Sequence, residues 1–331
     1  MTVAFTICSN NFLAQAKTMF QSLQNHHPEI KTYLFLADKP HDSIDYSFFA
    51  PAEIIVADES IIMGFDELVK RYTIIELNTA IRPFIIEYLK QKHTDCNKLL
   101  YLDPDLLIYD RFDTVENLLD TEDLVITPHF LTPLPIDEFI PFENLALNYG
   151  TYNMGFFAMN PHSVNTGVFL NWWGERTSRF GHIDPSNGYF TDQIWFNLVP
   201  VFFEKVHTLK HPGYNMAAWN LHERFIAGYC DNGRIVLSSG HQLVAYHFSS
   251  WSFKKPELLS PWYNRYNFSN RPDLVKLYND YRLSLLENKI QFFDEIACAL
   301  PCFKKEPVRQ SLVKRTLMPG VNLMRRVWQK M

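Results

Sequence analysis

The chain has 331 residues, 47% of them hydrophobic and 15% aromatic. That is ample material for a buried core and excludes disorder of the whole chain. The formal net charge of −5 argues against nucleic acid as the main partner. Residues 301–331 hold eight Lys or Arg and one Glu, against 23 basic and 35 acidic residues elsewhere, so an acidic body carries a basic tail.

In chain order, "MTVAFTICSNN" has no basic leader and reads as a first β-strand, not a signal peptide. "NNFLAQAKTMFQSLQNH" has helical spacing through Phe12, Ala16, Met19 and Leu23. "TYLFLAD" and "AEIIVAD" are short strands, each ending in Asp. "FDELVKRYTIIELNTAIRPFIIEYLKQKH" is long and helical, with Pro83 marking a break or a first turn. "KLLYL" and "DLVITP" are further buried strands, and strands between helices predict an α/β layer with a mostly parallel sheet.

Beyond Asn144 the pattern loosens. "TYNMGFFAMN" reads as a strand, and "SVNTGVFLNWWGERTSRF" and the segment around "TDQIWFNLV" as helices. Residues 144–174 carry no Asp, Glu, Lys or Arg, but Asn, Gly and Pro interrupt them, so they are not a membrane span. Residues 205–253 are loop-rich, with five histidines. The five cysteines (Cys8, Cys96, Cys230, Cys298, Cys302) form no CxxC pair and suit free thiols in a reducing compartment. A cytoplasmic protein is expected. The expected division is a domain over 1–288, with halves 1–128 and 129–288, followed by a basic amphipathic tail over 289–331.

In "LLYLDPDLLIYD" two carboxylates stand one residue apart at the end of a strand. Residues i and i+2 of an extended segment share a face, so Asp103 and Asp105 converge on one point. Pro104 stiffens the turn between them. The carboxyl end of a strand is where α/β sheets bind ligands, and paired hard oxygen donors suit Mn²⁺ or Mg²⁺. The bland alternative is a turn-capping Asp103 beside a solvated Asp105.

These residues carry a resemblance. "NKLLYLDPDLLIYD" resembles the metal-binding strand end of GT-A glycosyltransferases, above all family 8, the lipopolysaccharide galactosyltransferase and glycogenin group. "AIRPFIIEYL" lies upstream, where that family has a basic residue on a helix near the nucleotide. "TYNMGFFAMN", "FTDQIWFNLV", "GYNMAAWNL" and "VAYHFSSWSFKKPELLSPW" resemble its later motifs in the same order, so that the likeness spans residues 3–262. Ser250 stands where the family has Gly, Lys255 and Pro256 come two residues late, and Ile194 replaces the second Asp of D-Q-D. A remote member of the family is the description these departures imply.

The resemblance implies a Rossmann-like nucleotide-binding half and a metal-dependent, retaining transfer of sugar from a nucleotide sugar, UDP-linked, to a glycan or lipid-linked acceptor in surface polysaccharide assembly. It assigns His247 as third metal ligand beside Asp103 and Asp105, and Mn²⁺ or Mg²⁺ as the ion. Ile7, Ser9 and Asn11 would face the nucleoside. Arg82 would pair with the diphosphate or a sugar hydroxyl, with a surface salt bridge as the alternative. Asn153, Asp192 and Gln193 would line the donor sugar, Gln193 lying near the β face of the anomeric carbon; the alternative for Asp192 and Gln193 is a solvated first helical turn. Lys254 or Lys255 would touch phosphate. Trp172, Trp195, Trp219 and Trp251 are sugar platforms or core residues.

The tail mixes cations with Val321, Met324 and Trp328 at helical spacing, which suits an anionic membrane surface. Peripheral attachment at the inner face of the cytoplasmic membrane is the matching location. Two other readings are a non-catalytic carbohydrate-binding or scaffold protein and a sugar-1-phosphate nucleotidyltransferase. The latter needs a Gly-rich loop after the first strand, and "CSNNFLAQAK" contains no Gly.

Overall fold

The computed structural model describes residues 1–230 and 233–304. In chain order its strands are β1 (Thr2–Cys8), β2 (Lys31–Leu36), β3 (Glu53–Val56), β4 (Lys98–Leu102), β5 (Leu106–Ile108), β6 (Leu124–Pro128), β7 (Tyr152–Met159), β8 (Ile183–Asp184), β9 (Tyr189–Phe190), β10 (Val206–Thr208), β11 (Met216–Ala217), β12 (Ile226–Tyr229), β13 (Ile235–Leu237) and β14 (Ala245–His247). The helices are α1 (Leu13–His26), α2 (Phe65–Arg71), α3 (Ile74–Ala80), α4 (Arg82–Lys92), α5 (Asp113–Leu118), α6 (Glu143–Tyr149), α7 (Val164–Phe180), α8 (Val199–Phe202), α9 (Val275–Glu287) and α10 (Ile290–Phe293).

Seven strands form the central sheet in the order β10-β6-β7-β4-β1-β2-β3. β3, β2, β1 and β4 run parallel, as do β6 and β10, while β7 runs antiparallel to both β4 and β6. This is the expected α/β class with a mixed, mostly parallel sheet flanked by helices. Alternation along β1 feeds two cores: Ala4 and Cys8 pack on one face with α1, α9 and α10, and Val3, Phe5 and Ile7 pack on the other with α2, α3, α4 and α7. A strand buried on both sides reads as a continuous apolar run, as "VAFTIC" does.

The long helical stretch expected from Phe65 to His93, with a break or first turn at Pro83, is three helices. Thr73 interrupts it with a capping box: its side chain accepts from the Glu76 amide, and the Glu76 carboxylate accepts from the Thr73 amide. Pro83, in the first turn of α4, starts the third. Phe12 precedes α1 in a 3₁₀ turn and is exposed, so the buried stripe of α1 begins at Leu13. The helix expected around "TDQIWFNLV" is a 3₁₀ turn, Gln193–Asn197, followed by α8.

A second sheet, β11-β14-β5, stands beside the first. It forms because the chain turns at Asp103-Pro104-Asp105 and leaves the central sheet for β5. Within the segment expected as a tail, Ile290, Phe293 and Ile296 are buried in the core formed with α1 and α9. The basic residues after Lys304, on which the membrane-surface expectation rests, lie outside the described residues. Among the described residues no helix is long and apolar enough to cross a membrane.

Candidate metal and donor-sugar site

Sheet register assembles the site. β4 pairs with β7 so that Leu102 faces Phe156, and the Asp103 amide donates to the Gly155 carbonyl at 2.8 Å. β14 pairs with β5 so that His247 faces Leu106, and the Phe248 amide donates to the Asp105 carbonyl at 2.9 Å. The first register sets Asp103 against β7, and the second sets His247 beside Asp105. Gly155 is needed where these strands meet: a Cβ there would overlap the His247 ring and fall 2.8 Å from Asp103 Oδ2.

His247 Nε2 lies 3.0 Å from Asp105 Oδ1 and 3.6 Å from Asp103 Oδ2. One ligand atom from each of the three residues falls within 4.8 Å of the others. Adjacent donors around an octahedral ion at about 2.1 Å would stand roughly 3 Å apart, so this spacing fits. The chemistry fits as well. His247 Nδ1 meets Asn215 Oδ1 at 3.1 Å, and an amide oxygen only accepts, so Nδ1 carries a proton there. Nε2 is then the nitrogen aimed at two carboxylates, an arrangement that calls for a cation between them. Burial opposes charge on His247, yet the carboxylates of Asp105 and Asp103 hold the imidazole above its ordinary value.

Beside this cluster Arg82 is buried, with Nη1 donating to Asp192 Oδ2 and Nη2 to Asp103 Oδ1 and Tyr101 Oη, each at 2.9 Å. Its guanidinium lies over the Tyr101 ring, 4.1 Å from the centroid, and Tyr101 Oη donates to Asp103 Oδ1 at 2.5 Å. Asp103 Oδ1 is thereby occupied, which leaves Oδ2 to face His247. Burial works against the Arg82 charge, but Asp192, Tyr101 and Asp103 hold its value above the usual one. Burial pushes the Asp192 carboxyl up against the pull of Arg82.

Arg82 is therefore no surface salt bridge, and its donors Nη1 and Nη2 are engaged by protein. Asp192 is fully buried, not in a solvated turn, and its Oδ1 is buried with no hydrogen-bond partner. Gln193 Nε2 donates to the Tyr149 carbonyl at 2.7 Å, and Gln193 Oε1 accepts from Asn153 Nδ2 at 3.4 Å. Asn153 Oδ1 accepts from the Gly155 amide and from Asn215 Nδ2, at 3.0 and 2.9 Å. The structure thus brings Arg82, Asp103, Asp105, Asn153, Asp192, Gln193 and His247 into one constellation of hydrogen bonds and close charge contacts.

Of the remaining expected residues, Trp219 alone is seen against it among the described residues. Ile7 lies on β1 with its side chain buried in the core, and Ser9 Oγ donates to Asn11 Oδ1 at 2.6 Å just beyond the carboxyl end of that strand. The Lys254 ammonium pairs with the Asp294 carboxylate, and both Lys254 and Lys255 are exposed. Ser250 has φ 62°, a left-handed backbone that favours glycine, at the position where the resembling motif carries Gly. Trp219 is buried edge-on to His247 at 5.3 Å, while Trp172 and Trp195 pack against each other and Trp251 packs on Tyr281.

Asn215, Tyr101, Gly155 and His129 are members of the constellation that single-residue reading did not assign. Burial pushes His129 down to about 4, so it is neutral, with Nε2 3.4 Å from Asn153 Nδ2. A signal for Asn215 was present: it follows Pro212-Gly213-Tyr214 and adopts φ 53°, a conformation Asn tolerates better than most residues.

No protein-family model matches the sequence. Two curated proteins of Bacillus subtilis (strain 168) align with it. Uncharacterized protein YfnF is 24% identical over 257 residues, 76% of this chain and 82% of that one. Uncharacterized protein YfnD is 25% identical over 306 residues, 90% and 92% of the two chains. Among solved structures the chain is similar to galactosyltransferase LgtC, in complex with donor and acceptor sugar analogs, at 17% identity, 86% and 96% coverage and TM-score 0.49. It is similar to glycosyltransferase GlyE of Streptococcus pneumoniae TIGR4 at 17% identity, covering 88% of this chain and 64% of that one, TM-score 0.48. Mouse xyloside xylosyltransferase 1 matches at 13% identity, 75% and 97% coverage and TM-score 0.42.

Proposed function

We propose that this chain is a metal-dependent, retaining glycosyltransferase that moves a sugar from a UDP-linked donor to a glycan or glycolipid acceptor in surface polysaccharide assembly. The observation that carries the reading is the triangle of Asp103, Asp105 and His247 at the carboxyl end of β4, with Nε2 aimed at both carboxylates. Two acids and an imidazole facing one point suit Mn²⁺ or Mg²⁺.

In this reading Asp103, Asp105 and His247 hold the ion, and Arg82 and Tyr101 keep Asp103 turned so that Oδ2 remains available. A divalent cation held there would supply positive charge to offset that building on a departing diphosphate. Ile7, Ser9 and Asn11 bind the nucleoside, and Lys254 or Lys255 binds phosphate. The buried, unpartnered Asp192 Oδ1 accepts a donor-sugar hydroxyl. Asn153 and Gln193 orient the same sugar. Gln193 is an amide held at both ends, so it is no nucleophile, and retention then proceeds by front-face attack without a glycosyl-enzyme. The basic segment beyond Lys304 brings the cytoplasmic enzyme to an anionic membrane face.

The test is a panel of UDP- and GDP-sugars scored for nucleoside diphosphate release with and without Mn²⁺. One UDP-sugar is expected to turn over only with the metal, and activity should fall at least about a hundredfold in Asp103→Asn and Asp105→Asn, as loss of a charge-stabilising group does. Nucleotide binding that is indifferent to Mn²⁺, with no turnover, would instead favour a carbohydrate-binding protein.

A further inference from the structure

We infer that Asn215 is a positioning residue that sets the metal ligand and the donor-sugar amides together; the inference rests on the metal-site reading above. Asn215 is 1% exposed and sits one residue before β11, where the small sheet meets β7. Its Oδ1 accepts from His247 Nδ1 at 3.1 Å. Its Nδ2 donates to Asn153 Oδ1 at 2.9 Å and to Thr127 Oγ1 at 3.0 Å. Thr127 in turn donates to the carbonyls of Asn153 and Phe156, and Asn220 Nδ2 donates to the Asn215 carbonyl at 3.1 Å. Every polar atom of the Asn215 side chain is therefore committed, and its loop is pinned.

The bonds run head to tail in one direction. His247 Nδ1 donates to Asn215, Asn215 to Asn153, Asn153 to Gln193, and Gln193 Nε2 to the Tyr149 carbonyl. An amide can be turned end for end only if its partners exchange donor for acceptor roles. Asn153 cannot turn, because the Gly155 amide and Asn215 Nδ2 both require its oxygen. Asn215 cannot turn either, because its oxygen would then meet Asn153 Oδ1, which the Gly155 amide holds in place. One side chain thus fixes the proton on His247 Nδ1, leaves Nε2 as the nitrogen that faces Asp103 and Asp105, and keeps Asn153 Nδ2 pointed at Gln193.

Two substitutions separate the roles. Asn215→Gly keeps the left-handed backbone and removes both functions. Asn215→Asp still accepts from His247 Nδ1 but cannot donate to Asn153. The readout is Mn²⁺ affinity of purified protein without donor, from the electron paramagnetic resonance signal of free Mn²⁺, together with KM and kcat for the UDP-sugar. Loss of an outer partner of a metal-bound imidazole is expected to weaken Mn²⁺ binding about ten- to a hundredfold in Asn215→Gly. Asn215→Asp should bind Mn²⁺ within about threefold of wild type while its donor KM rises about tenfold, as expected when a positioned polar contact is lost. Wild-type Mn²⁺ affinity in Asn215→Gly, equal loss in both variants, or an unchanged donor KM in Asn215→Asp would each overturn the inference. A wild-type protein that leaves the Mn²⁺ signal unchanged would sink the metal reading with it, which distinguishes the two failures.

Discussion

Arg82 shows how a single residue in this site is judged by what surrounds it. As part of "AIRPFIIEYL" it suits a phosphate or a surface pair equally. In the fold it lies buried between Asp192 and Asp103, and breaking such a pair from one side leaves a charge stranded in the interior. Arg82→Met is therefore expected to destabilise the protein by about 3–5 kcal/mol near pH 8. The loss should depend on pH with a definite sign. Burial already holds Asp192 above its ordinary value, and removing Arg82 takes away the group that pulls it down. A carboxyl raised in the folded state binds its proton more tightly there than when unfolded, so folding is favoured at low pH and loses stability as pH rises. Urea unfolding at pH 5 and pH 8 should show a smaller deficit at pH 5; a deficit that does not change with pH would contradict this account.

At the scale of elements, strand crossing decides what fits. β7 passes under the His247 ring at Gly155, the one residue type that leaves room for β14 and the end of β4 to approach. Gly155→Ala should displace His247 and Asp103, abolish measurable Mn²⁺ binding and cost about 1–3 kcal/mol in thermal or urea unfolding, the range for overpacking a filled site. Retained Mn²⁺ binding would mean that the strands yield more than their registers suggest. The strands themselves were legible, because "VAFTIC", "KLLYL" and "DLVITP" are short apolar runs whose burial on both faces needs no long-range information. Over residues 65–93 the turn at Pro83 was legible but the break at Thr73 was not, since apolar spacing continues across Thr73 while the capping box there restarts the backbone. The 3₁₀ turn at Gln193–Asn197 was read as α-helix for a related reason: periodicity over five residues does not separate the two.

At the scale of the molecule, the site sits at the carboxyl end of β4 where it meets β7 and the small sheet, the end at which open α/β sheets hold ligands. Its donor atoms come from the turn between β4 and β5 and from β14, so a bound ion would tie the small sheet to the end of the large one. Binding to the folded state alone stabilises it by RT ln(1 + [L]/Kd), about 2.7 kcal/mol at a hundred times Kd. For a chain of this size that corresponds to a rise in Tm of about 4 °C with Mn²⁺ and UDP at that excess. Differential scanning calorimetry should show that rise in wild type and its absence in Asp105→Asn.

The sequence by itself determined the layer architecture and the paired acids at a strand end, because both are written in contiguous residues: alternating strand and helix patterns, and Asp103-Pro104-Asp105 following an apolar run. His247 entered only through motif likeness, one histidine among five in its region. Tertiary structure alone decided that Arg82 is spent on Asp103 and Asp192, that Gly155 makes room for an imidazole, and that Asn215 joins His247 to Asn153. These partners lie tens of residues apart in the chain. What brings them within hydrogen-bond reach is the register of two sheets, and register is a property of paired strands that no single segment specifies.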